Sequence, residues 1–152
     1  MNIYLILAVT ALCFLFSCVQ NYPPIEEYRL IRVVDGDTIY VKSAEGKRFK
    51  LRYIGIDCPE KGESFYYAAS RMNKKLLQRG ELRFEFDSQL KDQYGRLLAY
   101  VFIDDIMANA ELLRLGLARL YDDPFNIKYR ALFRKMEKEA RLNSRGLWSK
   151  KR

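Results

Sequence analysis

Apolar and polar residues alternate along several short segments after residue 28, and this pattern predicts strands with one buried face. In Arg48–Ile56 the apolar side chains fall on one face and the cations on the other. Further strands are predicted at Tyr28–Val34, Thr38–Lys42, Leu82–Phe86 and Leu97–Ile103, and the last is apolar on both faces. These runs are bounded by turn-forming residues, as strands commonly are.

Three other segments carry apolar residues at helical spacing instead. The first covers Phe65–Leu76 and is followed by Gly80, which can end a helix. The second is predicted to begin at a cap on Asn109 and to end at Gly116. The third covers Tyr129–Ala140. Five short strands with these helices predict an α+β domain around a small barrel.

The N-terminal segment has a different pattern, because Ile3–Val19 is uncharged and almost wholly apolar. It is short for a membrane span and suits the core of a signal peptide. Leu15-Phe16-Ser17-Cys18 resembles a bacterial lipobox, so we predict a lipoprotein signal over residues 1–18 with acylation of Cys18. A tether over 19–27 and one folded domain over 28–152 follow. An ordinary cleaved signal and an uncleaved anchor remain alternatives.

Charge and composition narrow the function classes. Lys and Arg outnumber Asp and Glu by 27 to 19, giving a net charge of +8. This excess favours an anionic partner, either nucleic acid or an acidic membrane surface, although an indifferent basic surface remains open. The chain contains no histidine, which excludes Ser-His-Asp and Cys-His catalysis and His-ligated zinc. Hydrolysis here would depend on carboxylates, arginines and a hard cation.

Carboxylates and an arginine are concentrated at the ends of two predicted strands. Asp35-Gly36-Asp37-Thr38 is by itself ordinary turn chemistry. If the next two strands pair with Lys42 facing Lys47, Asp37 lies opposite Arg52, which is also compatible with a plain ion pair. Asp57-Cys58-Pro59-Glu60 follows Arg52 closely. Asp37 and Asp57 would then suit a hard cation such as Ca²⁺, which leaves Glu60 free to act on water.

A second cluster is Asp92-Gln93-Tyr94-Gly95-Arg96, directly before the predicted strand at Leu97–Ile103. The planar guanidinium of Arg96 suits phosphate oxygens. Taken alone, however, Tyr-Gly-Arg is also typical of a turn with a solvated arginine.

The order of all these motifs, with Gly146-Leu147-Trp148 near the end, resembles the staphylococcal nuclease (thermonuclease-like) family over Leu30–Ser149. The resemblance implies a five-stranded OB-fold β-barrel with three α-helices. It implies Ca²⁺ bound by Asp37, Asp57 and the backbone carbonyl of Cys58. The other implied roles are Glu60 as general base, Arg52 and Arg96 as phosphate ligands, Asp35 as an acid near the metal, Tyr94 near a terminal phosphate, and Tyr121 as a base-stacking side chain.

The resemblance also implies an activity and partners. The expected enzyme is a Ca²⁺-dependent, monomeric endonuclease that cuts DNA and RNA, with a preference for single strands, and the N-terminal signal pattern predicts its export. The expected products carry 3′-phosphates and 5′-hydroxyls. Acylation of Cys18 would anchor it to a membrane of the cell envelope, whereas simple cleavage would make it secreted. A catalytically inactive OB-type nucleic-acid-binding module and a surface scaffold lipoprotein remain alternatives.

Overall fold

The structure, a computed structural model, describes residues 28–149. The predicted signal segment with Cys18 and the tether over 19–27 lie outside these residues. Within the described range, no helix combines the length and the apolar character that crossing a bilayer requires.

The strands of the described residues are β1 (Arg29–Val33), β2 (Thr38–Lys42), β3 (Arg48–Tyr53), β4 (Ile56–Asp57), β5 (Leu82–Glu85), β6 (Leu97–Ile103), β7 (Ile106–Met107) and β8 (Arg119–Leu120). Five of them form a curled, mixed half-barrel in the spatial order β1-β2-β3-β6-β5, with β7 beside β6. Strands β3 and β6 are parallel, and the other neighbours are antiparallel. A separate ribbon pairs β4 with β8.

Within residues 28–149, three helices complete the fold: α1 (Tyr66–Leu77), α2 (Ala108–Arg114) and α3 (Arg130–Leu142), with a 3₁₀ turn at Gly146–Trp148. Every residue of β6 is buried, because this strand lies between β3 and β5 under the helices. The predicted α+β class, with a five-stranded OB-fold barrel and three α-helices, is confirmed.

The predicted register between β2 and β3 is wrong by one residue. Thr38, and not Asp37, lies opposite Arg52, and Lys42 pairs with Arg48. The connecting turn is longer than predicted: the Ser43 N–H donates to the Lys47 carbonyl at 2.9 Å, and Gly46 has φ +87°. The observed register matches apolar with apolar positions on the inner face, whereas a slip of one residue would reverse this match.

The predicted cap at Asn109 is also wrong. The first residue of α2 is Ala108, and Asn109 is fully buried inside the first turn. Its carboxamide accepts a hydrogen bond from the Val101 N–H and donates one to the Ile54 carbonyl, both at 2.9 Å. Asn109 therefore holds the turn after β3 against β6. Each backbone group left unpaired by its loss would cost about 1–3 kcal/mol.

Candidate active site

The loop between β1 and β2, which carries Asp35 and Asp37, packs against the middle of α1. The Asp37 N–H donates to Asp35 Oδ1 at 3.1 Å, and Asn73 of α1 donates to the Asp35 carbonyl at 3.0 Å. Gly36 lies between the two acids, where a Cβ would come within 2.6 Å of the Cys58 Cβ and 2.8 Å of the Ala69 Cβ. The absence of a side chain at Gly36 therefore allows this loop to pack closely on the segment after β4.

Arg52 joins the two carboxylates that the sequence analysis assigned to a metal. Its Nη1 forms an ion pair with Asp37, and its Nη2 donates to Asp57 Oδ1 at 2.7 Å. The Cys58 N–H donates to Asp37 Oδ2 at 2.6 Å, which fixes the buried Asp37 carboxylate. The Asp57 side chain is 52% exposed. Asp37 and Asp57 thus both contact the guanidinium of Arg52, Asp37 from inside the fold and Asp57 from the surface.

The oxygen atoms in this arrangement are of the chemical type that binds a hard divalent cation. Carboxylate and backbone carbonyl oxygens are the ligands that Ca²⁺ takes, in sets of about six to eight that usually include water. Across residues 28–149, no three His, Cys, Asp or Glu side chains come together as a ready metal cluster. Asp37 and Asp57 would therefore need backbone, water or substrate oxygens to complete a coordination shell.

Burial changes the acidity of two groups beside this pair. It raises the pKa of the Cys58 thiol far above its ordinary value, so the thiol stays neutral and is a poor nucleophile. Burial also raises the pKa of Asp35, although hydrogen bonds from Thr38 and the charge of Arg52 oppose the shift. The chemistry of this region therefore rests on carboxylates, and no thiolate is available.

Glu60 lies in the exposed loop just beyond Asp57. Its N–H donates to Glu63 Oε2 at 2.8 Å, and the Glu63 N–H donates to the Glu60 carbonyl at 2.9 Å. These two bonds fix the backbone at Glu60. Its carboxylate makes no hydrogen bond or ion pair with any of the described residues. The structure thus leaves this acid accessible to water.

Arg96 is held in place by the turn before β6. Asp92 Oδ1 accepts hydrogen bonds from the N–H groups of Tyr94 and Arg96 at 2.9 and 3.0 Å. Asp92 Oδ2 accepts from Arg96 Nε at 2.6 Å. Gly95 has φ +76°, which this tight turn requires. Because Asp92 engages the Nε of Arg96, the two terminal nitrogens remain for a ligand.

Both arginines line one cleft of about 420 Å³, together with residues 53–56. Tyr94 and Tyr121 line the same cleft and are 75% and 56% exposed. The Tyr121 N–H donates to the Gly55 carbonyl at 3.0 Å, next to the β4–β8 ribbon. The structure therefore brings Arg52, Arg96, Tyr94 and Tyr121 together, with the two metal-type carboxylates at the Arg52 end. Asp35, Asp37, Asp57, Cys58 and Glu60 lie outside the cleft lining.

Phe125 is a cleft residue that the sequence analysis missed. It is 61% exposed and lines the same cleft. The buried Asp123 holds its loop, because Asp123 Oδ1 accepts from the N–H groups of Phe125 and Asn126 at 2.8 and 3.0 Å. Asn126 in turn accepts from the Gln89 N–H at 2.8 Å. The only signal in the sequence is the Asp-Pro turn before Phe125.

Comparisons with known proteins agree on one family. A family model described as staphylococcal nuclease homologue matches residues 50–150. A thermonuclease of Staphylococcus intermedius is 36% identical over 161 residues, which cover 96% of this chain and 95% of the relative. A thermonuclease of Staphylococcus hyicus is 38% identical, covering 82% and 76%. An endonuclease of Bacillus subtilis (strain 168) is 39% identical, covering 86% and 65%.

Proposed function

Because this chain belongs to the staphylococcal nuclease family, we propose that it is a Ca²⁺-dependent nuclease that hydrolyses phosphodiester bonds of DNA and RNA. The observation that carries the proposal is the convergence of Asp37 and Asp57 on Arg52, at the edge of a cleft that also contains Arg96. The exposed aromatic side chains in that cleft favour single strands, whose bases are free to stack.

The residues that would hold Ca²⁺ are Asp37, Asp57 and the backbone carbonyl of Cys58. The bound ion would neutralise charge on a phosphodiester oxygen and help to orient water. Asp37 is buried and fixed by the Cys58 N–H, whereas Asp57 is exposed and is bonded to Arg52 Nη2. Arg52 contacts both carboxylates, so its guanidinium balances part of their negative charge.

Glu60 accepts a proton from water as the water oxygen attacks phosphorus. Arg52 and Arg96 donate hydrogen bonds to the phosphoryl oxygens as negative charge develops on them. The bond from phosphorus to the 5′-oxygen breaks, and that oxygen takes up a proton from solvent water. The products are a 3′-phosphate and a 5′-hydroxyl. The neutral Cys58 thiol takes no part.

A cleavage assay with calcium titrated tests this proposal. The purified protein should cut single-stranded DNA with Ca²⁺ and stop when the calcium is chelated. Asp37→Asn should weaken Ca²⁺ binding and lose activity that excess Ca²⁺ restores only in part, because a buried anionic ligand is replaced by a neutral one. The matched control is Asp105→Asn at an exposed position outside the site. Calcium-independent cleavage, or equal calcium response in both variants, would exclude this metal assignment.

We also propose that the enzyme is exported and anchored through a lipid on Cys18, since the segment before it has the pattern of a signal peptide. The wild type should partition with the detergent phase and incorporate labelled fatty acid, whereas Cys18→Ser should lose the label. Label retained in Cys18→Ser, or a mature N-terminus at another residue, would contradict the anchor. Neither result would affect the nuclease proposal.

A further inference from the structure

The outer surface of β1, β2 and β3 carries a dense array of cations outside the cleft. Strand pairing places these side chains in two rows across the sheet: Arg29, Lys42 and Arg48 in the first, and Arg32, Tyr40 and Lys50 in the second. We call these six residues the cationic face. All five of its cations are exposed, and none of them forms an ion pair with another residue of the described range 28–149.

A β-bulge in β1 creates the outer edge of this face. The register of β1 against β2 shifts between Leu30 and Arg32, so that Arg29 pairs with Lys42 and Arg32 pairs with Tyr40. Without the extra residue, side chains three positions apart would lie on opposite faces of the strand. The bulge therefore turns both arginines outward, and it leaves Ile31 41% exposed.

The positive charges of the cationic face repel one another and so lower the stability of the protein when no ligand is bound. Like charges directly opposite each other on neighbouring strands destabilise a sheet, and the first row contains three in succession. The guanidinium of Arg32 lies 4.5 Å from the centre of the Tyr40 ring, which keeps it on this surface and away from an acid. A bound polyanion would remove the repulsion.

The cationic face is continuous with the proposed active site. Arg48, Lys50 and Arg52 are alternate residues of β3, so their side chains leave the same face of the strand. Four residues of strand span about 13 Å, and three strands are about 10 Å wide. Arg52 thus lies at one end of a basic surface, and the first row lies at the other end, beside the β2–β3 turn.

From this geometry we infer that the cationic face binds the backbone of a nucleic acid strand that continues beyond the scissile phosphate, so that the enzyme holds long single strands more tightly than short ones. The inference rests on the proposed function, because it takes Arg52 as the ligand of the scissile phosphate. The contacts are to phosphates, so the face selects for strand length and charge and not for base sequence.

Binding of a length series of oligothymidylates, from 2 to about 16 nucleotides, tests the inference with calcium chelated so that no strand is cut. Affinity of the wild type should rise with length until the strand reaches the first row. The triple variant Arg29→Gln/Lys42→Gln/Arg48→Gln should lose this gain and bind the longest strand about tenfold more weakly, with a log–log salt slope shallower by about 2. The shortest strands should bind both proteins equally.

The matched control removes the same charge from the helices, as Lys75→Gln/Lys135→Gln/Lys138→Gln, where all three lysines are exposed. It should keep the gain of affinity with length. The first-row variant should melt at the same or a higher temperature than the wild type, because like-charge repulsion is removed. Loss of the length dependence with unchanged folding would support the inference.

Three results would overturn the inference: retention of the length dependence in the first-row variant, an equal loss in the control, or a marked fall in melting temperature. A first-row variant that still binds long strands but no longer binds phosphatidylglycerol vesicles would assign the face to a membrane instead. A failure of the nuclease proposal would give a different result from a failure of this inference. A wild type that cuts nothing, yet binds long strands through the first row, would refute the nuclease and leave the cationic face intact.

Discussion

Replacement of Glu60 by glutamine is expected to lower turnover on single-stranded DNA by about 10²–10⁴-fold, the usual contribution of a general base. The structure leaves the Glu60 carboxylate exposed and without a hydrogen bond or ion pair to residues 28–149, so the change removes a proton acceptor and disturbs no contact. Binding of Ca²⁺ and of uncut oligonucleotide should remain near the wild-type level. Rapid-quench turnover and calcium titration of the same preparations separate the two effects.

Two control variants test whether the loss of turnover is due to the missing general base. Glu81→Gln removes an exposed carboxylate elsewhere and should leave turnover unchanged. Cys58→Thr should also be nearly silent, because burial keeps the thiol neutral. Normal turnover in Glu60→Gln together with an inactive Cys58→Thr would require a mechanism built on the thiol. A parallel loss of calcium binding in Glu60→Gln would instead place Glu60 among the metal ligands.

For β2 and β3, the alternating pattern predicted which side chains are buried, but it did not predict how the two strands pair. Alternation within β3 correctly predicted its buried and cationic faces. The error came from fixing the register by turn length, since the loop from Ser43 to Lys47 is one residue longer than assumed. Matching Ile39 with Leu51 across the pair would have given the observed register from the sequence. Arg52 still reaches Asp37, because a long side chain spans the diagonal between neighbouring positions.

Polar residues that are buried in the fold were the least predictable. Asn109 has the sequence context of a helix cap, yet it bridges β6 and the turn after β3. Asp123 and Asn126 belong to a segment without regular apolar spacing, but both are buried and hold the wall of the cleft. These roles depend on long-range hydrogen bonds, such as that between Gln89 and Asn126, which no local pattern encodes.

Replacement of Arg96 by lysine is expected to lower turnover by about 10²-fold or more, although the charge is kept. In the structure Asp92 accepts from both the backbone N–H and the Nε of Arg96 at 3.0 and 2.6 Å, and the terminal nitrogens remain for the phosphate. A lysine side chain has a single nitrogen, which cannot contact Asp92 and bind two phosphoryl oxygens at the same time. Calcium affinity should stay at the wild-type level, since Arg96 contacts neither Asp37 nor Asp57.

Arg52→Lys should show a comparable loss of turnover, but in this variant the calcium affinity should change as well. Arg52 contacts Asp37 and Asp57 through separate nitrogens, so its replacement also frees two carboxylates and should change the calcium affinity. Arg114→Lys is the matched control, because Arg114 uses its Nε and Nη2 on Glu111 at 2.8 and 2.6 Å outside the cleft. Turnover of the Arg114 variant should be normal. If Arg96→Lys were equally active, phosphate binding by a planar fork at Arg96 would be excluded, and Arg96 would be left with only its bonds to Asp92 in the turn.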